Sequence, residues 1–143
     1  MKSNYNSSFD VTYSDLKIPL KLLIIEDSDL LRETFSAALG KNHTVYSVST
    51  FKDGWKNYQE NNPDIVFIDI SLPDGSGHDL AYKIKQANPY AYIAMATASN
   101  YADDRSEAEF NNVDYYITKP YGRPQIEAVL QDYWTTRENV PIF

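Results

Sequence analysis

The chain has 143 residues, no Cys and a formal net charge of −7. This length suits one compact domain, and the lack of Cys excludes a disulfide framework, a thiolate metal site and a Cys nucleophile. The acidic balance argues against direct nucleic-acid binding, which needs clustered Lys and Arg. No apolar run approaches the ~18 residues of a membrane span, and the start of the chain lacks the apolar core of a secretory signal. We therefore expect a soluble cytoplasmic domain that does not bind a membrane.

Five short apolar or β-branched blocks predict β-strands. In chain order they are Lys21–Ile25, Thr44–Val48, Ile65–Ile70, Tyr92–Ala96 and Tyr115–Thr118. The first and third blocks have almost no polar interruption, which is typical of parallel strands that are covered on both faces.

Apolar residues at helical spacing predict a helix after each strand. Asp27 or Ser28 can cap the first helix and Thr50 the second, whereas the third lies near His78–Gln86 and the weakly apolar fourth near Tyr101–Phe110. Alternating strands and helices with short connections favour right-handed crossovers. The pattern therefore predicts an α/β fold: a doubly wound five-stranded parallel sheet of flavodoxin-like (βα)5 type, with strand order 2-1-3-4-5.

The predicted domain covers residues 21–135. Residues 1–20 are polar and predicted to form an N-terminal extension without stable structure, and residues 136–143 form a C-terminal tail. Because the chain starts with Met and runs past the fifth helix, we expect a complete small protein; the alternative is a fragment of a longer one.

Polar side chains stand where the predicted strands end. Glu26 and Asp27 follow the first strand, Asp69 lies near the end of the third, and Thr97 and Lys119 close the fourth and fifth. Ligands of open α/β sheets bind beyond these strand ends. Strands 1 and 3 are neighbours in the predicted order, so three carboxylates converge and repel one another without a counter-ion. Their oxygens suit Mg²⁺, which takes one or two carboxylates, a carbonyl and several waters.

Taken together, these motifs resemble the receiver (response regulator) domain of two-component signalling, the CheY-like family, over about residues 20–135. They are I-I-E-D ending at Asp27, I-D-I-S-L-P-D-G-S-G around Asp69, A-T-A at Thr97 and Y-I-T-K-P ending at Pro120. Each motif alone is a modest signal. All of them in order, each at the correct strand end, are specific.

The resemblance implies a role for each residue of the site. Asp69 is the expected phosphoacceptor, whose carboxylate attacks phosphorus to give an acyl phosphate. Asp27 is expected to bind Mg²⁺ directly and Glu26 mostly through water, with Asp69 and the backbone carbonyl of Ser71 as further ligands. Lys119 is expected to pair with the phosphoryl oxygens and stabilise developing charge.

The resemblance also implies a switch and partners. Thr97 would hydrogen-bond the attached phosphoryl group, Tyr116 would turn inward in response, and the Lys119–Pro120 peptide is expected to be cis. The expected partners are a histidine kinase or histidine phosphotransfer protein and a downstream protein target, bound on the face of helix 4, strand 5 and helix 5. Such a domain catalyses only its own aspartyl phosphorylation and dephosphorylation.

Other interpretations stay open. A receiver-fold scaffold would work without phosphorylation. A phosphatase of the haloacid-dehalogenase type would need a second Asp where Ser71 stands, and a flavin carrier would need a Ser/Thr/Gly-rich phosphate loop after the first strand. His43 and His78 are interpreted as surface loop residues. Four tyrosines mark either an interface or semi-buried scaffold: Tyr101, Tyr115, Tyr121 and Tyr133.

Overall fold

The computed structural model describes residues 18–98 and 113–138. In chain order the elements are β1 (Lys21–Ile25), α1 (Asp29–Leu39), β2 (Thr44–Val48), α2 (Phe51–Asn61), β3 (Ile65–Asp69), α3 (Gly77–Ala87), β4 (Tyr92–Thr97), β5 (Tyr115–Thr118) and α4 (Arg123–Glu138). Between β3 and α3, Ser71–Leu72 pairs antiparallel with Gly75–Ser76. The predicted fourth helix and most of the predicted N-terminal extension lie outside the described residues.

The strands β1 to β5 form one parallel sheet in the order β2-β1-β3-β4-β5. This confirms the predicted doubly wound sheet and its strand order. The chain runs from β1 outward to β2 and then returns to β3 on the other side of β1. The direction of the crossovers therefore reverses between β1 and β3, which is the place where open α/β sheets bind ligands.

The helices begin and end at residues suited to those positions. Ser28 Oγ accepts the backbone N–H of Leu31 at 3.2 Å, and Thr50 Oγ1 accepts that of Asp53 at 3.0 Å. Each bond satisfies a backbone donor that the first turn of a helix leaves unpaired. At the end of α2, Asn62 adopts a left-handed conformation with φ 49°, which Asn tolerates better than most residues.

Alternation along the strands divides the core into two layers, one on each face of the sheet. The α1/α4 layer contains Leu22, Ile24, Phe35, Phe67, Ala94, Ile117, Ile126 and Val129. The α2/α3 layer contains Leu23, Ile25, Val66, Ile68, Leu80, Ile84, Ile93 and Met95. Because helices cover both faces, the central strands β1 and β3 are almost continuously apolar.

The last helix, α4, continues to Glu138, beyond residue 135 where the predicted domain ends. The guanidinium of Arg137 donates to the carbonyl oxygen of Tyr90 at 2.9 Å and lies 5.1 Å from the centre of the Tyr133 ring. The hydrogen bond to Tyr90 joins the last turn of α4 to the loop before β4, while the contact with Tyr133 lies within α4. No helix in the described ranges is long and apolar enough to cross a membrane.

The interpretation of His78 as a surface loop residue is wrong. His78 lies in the first turn of α3 and is only 3% exposed, because α3 begins directly against the backbone at the end of β3. His43 does lie in a loop, but it is half-buried. Its Nδ1 accepts the backbone N–H of Leu20 at 3.0 Å, and burial lowers its pKa. Both histidines thus serve the packing of the domain.

Candidate functional site

Two acidic side chains meet at the carboxyl ends of β1 and β3. Glu26 directly follows β1 and Asp69 is the last residue of β3, and the register places Ile25 opposite Ile68. The two side chains are only 3% and 8% exposed. Burying two carboxylates at one sheet edge is unfavourable unless a cation or hydrogen-bond donors compensate their charge.

Lys119 supplies that cation. Its Nζ lies 3.3 Å from Glu26 Oε1 and 3.3 Å from Asp69 Oδ2. The backbone N–H of Lys119 donates to the carbonyl oxygen of Thr97 at 2.7 Å, which continues the β4–β5 pairing by one residue. The Lys119–Pro120 peptide is cis, as the resemblance implies. The end of β5 therefore places one ammonium between the two buried carboxylates.

The buried negative charge of Glu26 is only partly compensated by its neighbours. Burial is the largest cause that raises the pKa of Glu26, and the neighbouring Asp69 raises it further. The backbone N–H of Ser28, 3.0 Å from Oε2, and the ammonium of Lys119 act in the opposite direction because they stabilise the charged form. The net effect is a carboxyl group that ionises less readily than a solvated one.

The carboxylate of Asp69 is held on both oxygens. Oδ1 accepts the backbone N–H of Ser71 at 3.1 Å, and Oδ2 faces Lys119. Gly77 allows α3 to start close by: a Cβ there would lie 2.3 Å from the carbonyl oxygen of Asp69 and 2.8 Å from the Cα of Ile70. A glycine is thus required where the loop after Asp69 returns to the end of the strand.

Asp27 and Ser71 lie at the solvent edge of the site, and both are exposed. Among residues 18–98 and 113–138, no group of three or more His, Cys, Asp or Glu side chains is arranged to hold a metal ion. The fold therefore brings Glu26, Asp69 and Lys119 together and leaves Asp27 beside them, facing water.

Thr97 and Tyr116 lie on the face of the sheet that the α2/α3 layer covers. Thr97 ends β4 and is 2% exposed, while Tyr116 is half-buried and packs against the α2/α3 layer. The register pairs Met95 with Tyr116 and Thr97 with Thr118. Thr97 and Tyr116 are consequently diagonal neighbours on one face of the sheet.

Sequence reasoning missed Arg32. Its Nη1 donates to the carbonyl oxygens of Glu26 at 2.6 Å and Asp27 at 3.1 Å, and its Nη2 pairs with Asp29. The available signal was its spacing: Arg32 comes four residues after the cap Ser28, which places both on one side of the helix start. Spacing alone did not show that the guanidinium turns back to the strand end.

Tyr121 is part of the wall beneath the acidic pair. It is 9% exposed, and its ring centre lies 5.3 Å from that of Phe35. Burial raises its pKa, and the charges of Glu26 and Asp69 raise it further. Its hydroxyl has no hydrogen-bond partner within the described part of the chain. Tyr121 and the buried Tyr133 are therefore scaffold residues, one of the two interpretations that the sequence left open.

Comparison with known proteins identifies the family. Residues 22–131 match the response regulator receiver domain. The probable transcriptional regulatory protein TcrX of Mycobacterium tuberculosis is 30% identical over 111 residues, which are 76% of this chain and 47% of TcrX. The chemotaxis protein CheY of Halobacterium salinarum is 26% identical over 116 residues, which are 80% of this chain and 97% of CheY. The chain thus spans about half the length of TcrX and nearly all of this CheY.

Solved structures show the same fold. A response regulator receiver domain protein from Clostridium thermocellum has a TM-score of 0.77 at 21% identity and covers 82% of this chain and 96% of its own. The chemotaxis response regulator CheY4 of Vibrio cholerae has a TM-score of 0.74 at 18% identity. The match covers 79% of this chain and 97% of CheY4. Since the family match spans most of the sequence and the sheet has the expected strand order, the chain belongs to the response regulator receiver domain family of two-component signal transduction.

Proposed function

We propose that this receiver domain is phosphorylated on Asp69 by a histidine kinase or histidine phosphotransfer protein in a Mg²⁺-dependent reaction, and that phosphorylation controls its binding to a downstream protein. One observation carries the proposal: the ammonium of Lys119 lies 3.3 Å from the buried carboxylate of Asp69 and 3.3 Å from that of Glu26. Phosphoryl transfer depends mostly on positioning and charge neutralisation, and this cluster is suited to both.

The nucleophile is a carboxylate oxygen of Asp69. It forms a bond to phosphorus as the P–N bond of a phosphohistidine breaks, and the electron pair of that bond stays on the imidazole nitrogen. With acetyl phosphate as donor, the P–O bond breaks and acetate leaves. The ammonium of Lys119, already beside Asp69 Oδ2, stabilises the charge on the phosphoryl oxygens as the acyl phosphate forms.

The donor atoms around Asp69 fit Mg²⁺. The carboxylates of Asp27 and Asp69 and the carbonyl of Ser71 are the hard oxygen ligands that we assign to it, with Glu26 acting through water. Mg²⁺ keeps several waters, so it needs no cluster of three protein side chains, and none is present in the described ranges. When bound, Mg²⁺ supplies charge neutralisation at the phosphoryl oxygens.

The proposed switch uses Thr97 and Tyr116, on the face of the sheet that the α2/α3 layer covers. Thr97 ends β4, the strand that pairs with β3 beside Asp69, and it is a diagonal neighbour of Tyr116. A hydrogen bond from Thr97 to the phosphoryl group draws its side chain toward Asp69 and frees space for Tyr116 to turn inward. The surface that responds is the face of the predicted fourth helix, β5 and α4, where we place the downstream protein.

An intact-mass time course with acetyl phosphate and Mg²⁺ tests the proposal. The wild-type protein is expected to gain one phosphoryl group, and Asp69→Asn to gain none. Asp74→Asn is the matched control, because Asp74 is an exposed aspartate of the same loop and is expected to leave the mass gain intact. Labelling of Asp69→Asn at the wild-type rate would show that the acceptor is assigned wrongly. If neither acetyl phosphate nor a cognate kinase labels the wild type, the phosphorylation-independent scaffold becomes the better interpretation.

A further inference from the structure

Arg32 holds the backbone of the loop that carries Glu26 and Asp27. One guanidinium nitrogen, Nη1, donates to the carbonyl oxygens of both residues, at 2.6 Å and 3.1 Å. The side chain of Arg32 is only 21% exposed. Its own backbone N–H donates to the carbonyl oxygen of Ser28 at 3.0 Å, so the guanidinium reaches back from the first turn of α1.

The two carbonyls lie between a strand and a helix. The N–H of Glu26 still pairs with the carbonyl of Val48 at 3.0 Å, and α1 begins at Asp29, so the peptide groups after Glu26 and Asp27 belong to neither element. The partly buried carbonyl of Glu26 needs a hydrogen-bond donor, and Arg32 provides one to it and to the more exposed carbonyl of Asp27. Because a single nitrogen binds two successive carbonyls, both peptide planes turn toward α1. The directions of the two Cα–Cβ bonds are fixed with them.

We propose that Arg32 is a positioning residue: by holding these carbonyls it orients the carboxylates of Glu26 and Asp27 for Mg²⁺. The inference rests on the proposed function, since it concerns the metal that phosphorylation of Asp69 requires. The ion pair with Asp29 contributes little to this role, because Asp29 is 85% exposed and exposed pairs are weak. The positioning role depends instead on the hydrogen bonds from Arg32 to the two backbone carbonyls.

Charge and positioning predict opposite effects when Arg32 is replaced. A cation near a metal site repels Mg²⁺, so the loss of the charge alone would tighten Mg²⁺ binding. The loss of a group that orients metal ligands weakens binding, typically by 10-fold or more. The direction of the change in Mg²⁺ affinity therefore separates the two.

The experiment is calorimetric titration of the unphosphorylated protein with Mg²⁺. Arg32→Met keeps the apolar stem but has neither charge nor donor, and we expect it to bind Mg²⁺ roughly tenfold more weakly. Arg32→Lys keeps the charge and a donor and is expected to recover part of the loss. The matched control is Arg123→Met, which removes the same charge from a guanidinium bound to the carbonyl of Ala38 at 2.8 Å. It is expected to bind Mg²⁺ as tightly as the wild type or more tightly.

A second readout needs no metal. The amide of Ser28 donates to Glu26 Oε2, so its NMR resonance reports where that carboxylate points. We expect the resonance to move in Arg32→Met and to return toward the wild-type position in Arg32→Lys.

Binding of Mg²⁺ by Arg32→Met as tightly as by the wild type would overturn the inference. If thermal unfolding shows that Arg32→Met is not folded, Arg32→Gln replaces it under the same criterion. Failure of the wild type itself to bind Mg²⁺ would contradict the proposed function instead.

Discussion

The ammonium nitrogen of Lys119 lies 3.3 Å from Oδ2 of Asp69, joining the end of β5 to the end of β3 across the intervening strand β4. The same nitrogen lies 3.3 Å from Glu26 Oε1, so one cation serves two buried carboxylates. A phosphoryl group added to Asp69 would bring new anionic oxygens to this cation. If Asp69 is phosphorylated as proposed, these salt bridges would be exchanged for contacts between Lys119 and the phosphoryl oxygens.

Replacing Lys119 with Met tests this exchange. Methionine keeps the apolar stem but removes the charge, so we expect phosphorylation by acetyl phosphate to slow by roughly 100-fold while the fold is retained. The initial rate is measured by intact mass. Lys83→Met, which removes a lysine that lies over Trp55 on the α2/α3 surface, controls for the change in net charge. A wild-type rate in Lys119→Met would contradict the role assigned to this residue.

Glu26→Gln is expected to stabilise the unphosphorylated protein at neutral pH. Burial raises the pKa of Glu26 in the folded state above its ordinary value of 4.5. Its contribution to the free energy of unfolding is therefore fully present below the unfolded pKa and is lost as pH rises through the folded pKa. Gln keeps an acceptor for Ser28 and has no charge to bury, so we expect a gain of about 1 kcal/mol at neutral pH that vanishes near pH 4.

Urea unfolding without Mg²⁺ across this pH range measures the effect. Glu60→Gln, on the exposed side of α2, controls for the change in net charge. A Glu26→Gln protein that is less stable than the wild type at neutral pH would show that the salt bridge with Lys119 outweighs the burial of the carboxylate.

Asp74 is expected to show the opposite pH dependence. Its carboxylate oxygens accept the backbone N–H groups of Phe51 at 2.7 Å and Lys52 at 3.1 Å, at the start of α2. The bond from Phe51 is the main cause that lowers the pKa of Asp74 below 3.8. Its stabilising effect is present above the unfolded pKa and is lost as pH falls through the lower folded pKa.

Thermal unfolding of Asp74→Asn is the measurement. We expect its melting temperature to be below that of the wild type at neutral pH and to approach it in acid. Thr50→Ala removes another acceptor from the start of α2, but one without charge, and so provides a control whose effect is independent of pH. A deficit of Asp74→Asn that stays constant with pH would refute the assignment.

Gly77→Ala is expected to destabilise the protein by about 1–3 kcal/mol. The new Cβ would meet two backbone positions, the carbonyl oxygen of Asp69 at 2.3 Å and the Cα of Ile70 at 2.8 Å. Neither can move without shifting the end of β3, so phosphorylation of Asp69 is expected to slow as well. Chemical denaturation compares this variant with Gly122→Ala, whose Cβ would meet its nearest atom, Gln125 Oε1, at 3.8 Å. Equal stability of the two variants would contradict this account.

The sequence by itself determined the sheet and the position of the site along the chain. Unbroken apolar runs at β1 and β3 predicted central strands, since only strands covered on both faces can be apolar throughout. Short connections favoured right-handed crossovers, and five strand–helix units suited the flavodoxin-like strand order. Parallel strands end at one edge, so residues that close separate strands, such as Glu26, Asp69 and Lys119, had to meet there.

The tertiary structure alone decided how the ends of the elements are used. Glu26 is buried and its neighbour Asp27 exposed, although both are acids after the same strand. Likewise, His78 is buried although it is polar and follows a loop. Periodicity predicts burial within a strand or helix but not where the chain leaves one, because the direction of the next residue depends on backbone contacts. The bonds from Arg32 to two carbonyls are of this kind, since a backbone acceptor has the same chemistry in every residue and leaves no mark on the sequence.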